Sequence, residues 1–428
     1  MRYLGMRTPP SNHHPWFFTC IVGAAYQLGV NLGDRNIGMF LYIVLRGIVM
    51  AALYARCVAQ QKKNKVPFTI CFLTMLFFAV TPVWGAYAKH AFKDSIGAAL
   101  FCWFICASIP VVLALHQKNL KPLPCLEYAV AGLFASLFRN NTVYVVIPVT
   151  LLIVVLALRR KQKLHSVLLL LCGVLLFEAY QGYIFRVAGV ERGSIREALS
   201  IPFQQTARTV RDHAEEITEE EKRIIGACLD YENLGTDYDP LISDPVKSGE
   251  HGTPSEQRAF LKTWVKMFFK YPYTYLEAFL AHSSGYYAFI PEFTEAQYFG
   301  NGSHVNIGMT VFNTVDDIRF PADFVCHYIS GLAGIREMLA GWSYLWHEIP
   351  ILNITDIKAM YTWVIVLMGY ALIRRKEYEK LIPVGACSLM ILTCIASPVN
   401  DCFRYYAPVA AAFPTLFILL KEDEKRKE

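Results

Sequence analysis

Apolar runs of near-spanning length alternate along this chain with polar segments; the short loops richest in Lys and Arg are every second one, and one long polar stretch, 188–356, falls in the other set. A helix needs about 20 mostly apolar residues to cross a bilayer. Runs that reach or approach this length are 36–58, 66–87, 95–115, 142–158, 165–186, 357–373, 380–396 and 404–420. Residues 124–138 form a shorter run that contains Glu127 and turns back at Arg139-Asn140-Asn141. Broken geometry of this kind survives in a membrane only where protein or a water-filled cavity covers the backbone. The expected architecture is an all-α polytopic membrane protein of about nine spans. With 54% hydrophobic and 18% charged residues, the composition agrees with that class and not with a large soluble core.

The loops supply the orientation. One set carries Lys62, Lys63 and Lys65; Lys118 and Lys121; Arg159, Arg160, Lys161 and Lys163; Arg374, Arg375, Lys376 and Lys380; and the basic tail from Lys421. Alternating spans place all of these on one side, which the positive-inside rule makes cytoplasmic. Residues 88–94, 139–141, 188–356 and 397–403 then fall outside. The expected division is therefore 1–35, an outer loop with a helix in the outer interface; 36–187, an N-terminal transmembrane bundle; 188–356, a mainly helical extracytoplasmic block; 357–420, a C-terminal bundle; and 421–428, a cytoplasmic tail. This is a multi-pass protein of the cell membrane. The net charge of +6 arises in the cytoplasmic loops and does not indicate nucleic acid.

Of twelve cysteines, ten lie in or near spans, where Cys acts as a small apolar residue. Cys228 and Cys326 lie in the outer block, and whether they pair stays open. No Cys-x-x-Cys pair or zinc-type His spacing is present. Arg46 stands mid-span, where an unpaired arginine costs at least roughly 2.5–3.5 kcal/mol; it is expected to face the bundle interior in an ion pair. Glu178 and Gln181 are the other strongly polar intramembrane residues. Phe260–Phe269 reads as an amphipathic helix, with Leu261, Trp264, Val265 and Phe268 on one face and Lys262, Lys266 and Lys270 on another. Such a helix suits a lipid headgroup layer, and packing on its own domain is the alternative.

Chemistry is expected where polar residues meet the outer ends of spans. Lys93 and Asp94 open the 95–115 run, and the helix dipole favours a carboxylate there. Arg139 ends the short run. Arg404, followed by Tyr405 and Tyr406, opens the last one. A guanidinium in that position can grip a phosphate through two parallel hydrogen bonds; the alternatives are snorkelling to water or a structural pair with Asp401.

These segments together resemble one family. Ser11-Asn12-His13-His14-Pro15-Trp16 with Thr19, Lys93-Asp94-Ser95, and Phe138-Arg139-Asn140-Asn141 are similar to outer segments of GT-C-type membrane glycosyltransferases. Pro202-Phe203-Gln204-Gln205-Thr206-Ala207-Arg208, Trp264 through Tyr271-Pro272-x-x-Tyr275, and Asn400-Asp401-x-x-Arg404-Tyr405 continue the likeness along nearly the whole chain. The resemblance implies an inverting transfer of sugar from a polyprenyl-phosphate carrier to a glycan, lipid or protein acceptor of the cell envelope. An acidic residue would act as base on the acceptor hydroxyl, and positive residues would hold the leaving phosphate. It implies His13, His14, Lys93, Arg139, Arg208, Arg404 and Tyr405 as substrate- or phosphate-binding residues and leaves a divalent metal open. The family's acidic residue precedes the His-His-Pro stretch, and no Asp or Glu occurs here before Asp34. Asp34 and Asp94 are the remaining candidates, with the expected base upstream of Met1. Two other classes stay in play: a lipid or polysaccharide transporter or flippase, suited by Arg46 and Glu178, and a non-catalytic envelope assembly protein.

Overall fold

The computed structural model describes residues 10–117, 119–193, 195–248, 252–289 and 330–421, so Lys118, Cys326 and the tail beyond Lys421 lie outside the described residues. The described residues are helical, with isolated bridges and no named strand. The helices are α1 Trp16–Asn31, α2 Arg35–Lys63, α3 Phe68–Val80, α4 Pro82–Lys89, α5 Lys93–His116, α6 Pro122–Phe138, α7 Val143–Arg159 and α8 Leu164–Arg186. The following segment holds α9 Ser200–Asp212, α10 Glu219–Gly226, α11 Tyr231–Leu234, α12 Pro254–Lys270 and α13 Pro272–Ser283. Beyond it come α14 Ala333–Glu348, α15 Pro350–Asn353, α16 Lys358–Arg374, α17 Leu381–Ile395 and α18 Phe403–Leu416.

This is an all-α protein with several helices long and apolar enough to span a membrane. Among the described residues six qualify singly: Arg35–Lys63, Lys93–Leu115, Asn140–Arg159, Leu164–Arg186, Tyr378–Ile395 and Phe403–Leu420. The 66–87 run is a bent pair, α3 and α4, meeting at 45°. Pro82 accounts for the break, because its ring cannot continue the preceding helix. The carbonyl of Val80, left without a helical donor, accepts a hydrogen bond from the Trp342 indole on α14 at 3.0 Å. Part of the 188–356 block thus lies against the bundle and satisfies a backbone group that a bilayer would leave bare. The short 124–138 run is a helix of 17 residues, about 25 Å long, less than a hydrocarbon core of about 30 Å.

Helix α5 is the centre of the bundle, with 78% of its apolar window buried. Phe101, Phe104, Ile105 and Ile109 are wholly inside. The run Ala410, Ala411 and Ala412 on α18 is fully buried too, and such small side chains let helix backbones approach closely. Gly173 on α8 does the same against α6, where a Cβ would stand 2.2 Å from the Ala129 carbonyl oxygen. Helix α1 forms a hairpin with α2 around Gly33, whose φ of +88° suits glycine. Where the arms touch, a Cβ on Gly38 would meet the Ala25 oxygen at 2.0 Å.

Arg46 is buried, as its position implies, but its partners differ from the expected ion pair. Its guanidinium donates to the carbonyls of Ala88 (2.7 Å) and Tyr87 (3.4 Å) and lies over the Tyr42 ring. The last carbonyls of α4 carry the negative end of the helix dipole and can take the place of a carboxylate. Glu178 is exposed on α8. Glu127 is clamped by Arg56 through bonds of 2.7, 2.9 and 3.1 Å and receives the Trp103 indole at 3.2 Å.

The segment from α9 to α13 builds its own core from Phe203, Ala207, Ile225, Leu229, Val246, Phe260, Met267 and Tyr275. Two capping boxes start its helices, Thr218 with Glu221 and Thr253 with Glu256. Helix α12 divides its apolar residues between two faces. Phe260, Thr263 and Met267 are buried in this core, with Leu261 and Trp264 partly so, whereas Val265, Phe268 and Phe269 are exposed. The expected single face is therefore split, because the core claims the residues next to it. The exposed apolar strip continues along α13 through Tyr273, Leu276 and Leu280.

Candidate functional site at one end of the bundle

The segments expected on the outer side come together at one end of the molecule. Asn12 receives and gives bonds there: its N–H donates to the Glu191 carbonyl (2.8 Å), its side-chain oxygen accepts from the Trp16 N–H (2.9 Å), and its carbonyl accepts from the Asn140 amide (2.8 Å). The Ser243 N–H donates to Pro398 and the Asn400 N–H to Leu241, each at 2.8 Å. His282 lies between the Pro240 and Ser397 carbonyls, 3.1 and 3.0 Å from its two ring nitrogens. Basic segments meet at the opposite end: Arg160 pairs with Glu379 and donates to the Leu115 carbonyl, and Arg375 donates to the Leu420 carbonyl.

At the first end, Asp94 sits in the opening turn of α5 and is buried. One carboxylate oxygen faces Arg139 Nε at 3.2 Å and the other faces Arg404 Nε at 3.7 Å. Arg139 is buried, and its two terminal nitrogens both donate to the Tyr405 carbonyl at 3.2 Å. Its stem packs on Gly97, where an added Cβ would already touch at 3.4 Å. Arg404 differs in being 44% exposed. Its guanidinium stacks over the Tyr405 ring at 5.0 Å and donates to the Tyr405 hydroxyl at 3.2 Å. Lys93 reaches His14 Nδ1 at 3.2 Å, and the His13 and His14 rings pack edge to face. A buried carboxylate thus anchors two guanidiniums, one internal and one presented to solvent, beside an ammonium and two imidazoles.

Crowding by the surrounding chain, then the nearby Lys93 and His13, pulls the pKa of His14 down to about 4, although much of the residue is exposed. Its ring is therefore neutral near pH 7, with Nδ1 accepting from Lys93 and Nε2 carrying the hydrogen. Asp94 opposes the shift but does not overcome it. With a folded value below the usual 6.5, the unfolded chain binds more protons between about pH 6.5 and 4. The His14 contribution to stability is thus present above that window and is lost as pH falls through it. An anion bound beside Lys93 would favour the protonated ring. NMR titration of His14 is expected to give a midpoint near 4 in the free protein and a clearly higher one with pyrophosphate present. An unchanged midpoint excludes an anion next to this ring.

Among the described residues, the structure brings together His13, His14, Lys93, Asp94, Arg139, Arg404 and Tyr405. It places two candidates elsewhere. Asp34 caps its own helix by accepting from the Asn36 N–H at 2.8 Å. Arg208 on α9 is held by Glu277 (2.7 Å) and Asp212 (3.3 Å). The stretch around Arg208 serves packing: Gln205 donates to the Tyr275 carbonyl and accepts from the Trp264 indole, so two of the motifs hold each other. Asp401 pairs with Lys358 at 2.9 Å, both buried, a contact that the sequence does not announce. The donor set does not fit a divalent metal, because the single carboxylate is already shared by two guanidiniums.

Fold and site together define a helical membrane protein with a cluster of basic side chains around a buried carboxylate at one end of its bundle. The chain belongs to the family of unknown function DUF6020, whose profile matches residues 7–428. No curated protein and no solved structure matches it.

Proposed function

We propose that this chain is an integral membrane glycosyltransferase that moves a sugar from a polyprenyl-phosphate carrier to a cell-envelope acceptor on the outer face. The observation that supports this most is Arg404. A guanidinium buttressed from behind by a buried carboxylate, stacked on a tyrosine and open in front is suited to a phosphate that gains charge as it leaves. Lys93 and the N–H of His14 stand beside it as further donors. Tyr405 offers its ring to the first carbons of the lipid or to the sugar. In this reading Asp94 positions the guanidiniums and does not act as base, since both of its oxygens face cations.

The reading carries a topology: nine crossings, the 188–356 block outside and the C-terminus in the cytoplasm. The basic segments gathered at the opposite end of the bundle support it. A combined experiment tests both parts. Impermeant maleimide on intact cells should label a cysteine placed at Ser255 and spare one at Lys376. Purified protein in liposomes should convert a polyprenyl-phosphate sugar to free polyprenyl phosphate in the presence of envelope extract. Labelling of Lys376→Cys rejects the topology. Carrier that crosses the bilayer with its sugar bond intact rejects the transferase in favour of a flippase.

A further inference from the structure

Three of the cysteines expected to act only as apolar filler converge on one point. Cys57 of α2 and Cys102 and Cys106 of α5 place their sulfur atoms within 4.8 Å of one another, and all three are buried. The two on α5 are four residues apart, which puts them on one face of the helix. The Thr415 hydroxyl of α18 completes the group, 3.0 Å from Cys57, 3.4 Å from Cys106 and 3.9 Å from Cys102. All three thiols are free.

We infer that this trio is a binding site for a soft monovalent cation, Cu(I), inside the bundle. Three sulfurs about 2.3 Å from a central ion stand about 4.0 Å from each other, so a small contraction of the observed spacing closes a three-coordinate site. Soft sulfur ligands, the thiolate above all, select soft ions over Mg²⁺ or Ca²⁺. Charge decides between soft ions. Cu(I) displaces one thiol proton as it forms its bond to that sulfur, so the buried site keeps its net charge. A divalent ion must expel two protons or leave a net charge in an apolar interior. No electron is transferred in the step. The side-chain oxygens of Gln60 and Gln61 lie one turn further along α2, toward the basic end, and are buried without a hydrogen-bond partner. Space-filling alone does not require three sulfurs from two helices to surround one hydroxyl.

The test uses the full-length protein in nanodiscs, reduced and under argon, with Cu(I) offered from a chromophoric chelator. The wild type should withdraw one ion per chain, with X-ray absorption showing three sulfur neighbours. Cys57→Ser, Cys102→Ser and Cys106→Ser should each weaken retention by roughly 10–100-fold or more, the least expected when a ligand itself is lost. Cys387→Ser, also at a buried cysteine, should bind as the wild type does. Should the Ser variants misfold, the sulfur count in the wild type decides. No retained Cu(I), equal binding by all four variants, or a disulfide within the trio in protein isolated from cells overturns the assignment.

Discussion

On the proposed transferase reading, replacing Arg404 by Ala should lower sugar transfer by roughly 10²–10³-fold, the loss that follows removal of one donor from a preorganised anion site. The argument rests on the geometry behind the guanidinium. Asp94 faces Nε at 3.7 Å, and the Tyr405 ring and hydroxyl fix the plane. The guanidinium is thus held in place with 44% of the side chain exposed, so a phosphate would meet it without reorientation. Arg404→Lys keeps the charge and loses the fork, so it should fall between wild type and Ala. Charge that grows during departure is held more tightly than charge in the ground state, so kcat should fall more than KM rises. Arg208→Ala is the comparison, because that guanidinium is tied to Glu277 and Asp212. The measurement is turnover of a polyprenyl-phosphate sugar in liposomes, alongside affinity for short-chain polyprenyl phosphate. Wild-type affinity and turnover in Arg404→Ala remove this residue from the site. Equal losses in Arg208→Ala and Arg404→Ala point to a folding effect instead.

The second large effect is on stability. Arg139→Ala should destabilise the bundle by about 3–5 kcal/mol, the range for stripping one partner from a buried ion pair. Both members are only 5% exposed, and Arg139 also holds the Tyr405 carbonyl from 266 positions away. Loss of the guanidinium leaves Asp94 facing Arg404 alone and leaves that carbonyl with only the weak Cys394 thiol donor, 3.2 Å away. Asp94→Asn with Arg139→Gln should be milder than Arg139→Ala alone, because no uncompensated charge stays buried. Thermal unfolding in one detergent, read as a double-mutant cycle, checks this. Additive effects of Asp94→Asn and Arg139→Gln would show that the pair contributes no coupling. The transfer readout separates the two roles: the stability of Arg404→Ala should change little, since that side chain is half in water, while its activity collapses.

Much of the architecture was written locally. The positions of the apolar helices followed from run length, because a backbone in lipid must satisfy its hydrogen bonds within its own segment. The grouping of the basic segments at one end followed from where Lys and Arg interrupt those runs. The clustering of Lys93, Asp94, Arg139 and Arg404 was legible only as a shared level, one end of the bundle. Which of them touch was not. Helical periodicity fixes the face a residue occupies on its own helix and says nothing about what packs against that face. Hence Arg404 and Arg208 read alike in sequence, yet one is presented beside Asp94 and the other is locked on α9 by Glu277. Asp34 and Asp94 also read alike, yet the first only caps its helix. The bend of α3 into α4 was a local matter of Pro82, but the indole that covers the freed carbonyl comes from Trp342, 262 positions further on. Cys102 and Cys106 share a face of α5, but the third sulfur, Cys57, lies on another helix, and sequence spacing cannot bring it to them. Their meeting around Thr415 was decided by the crossing of α2, α5 and α18.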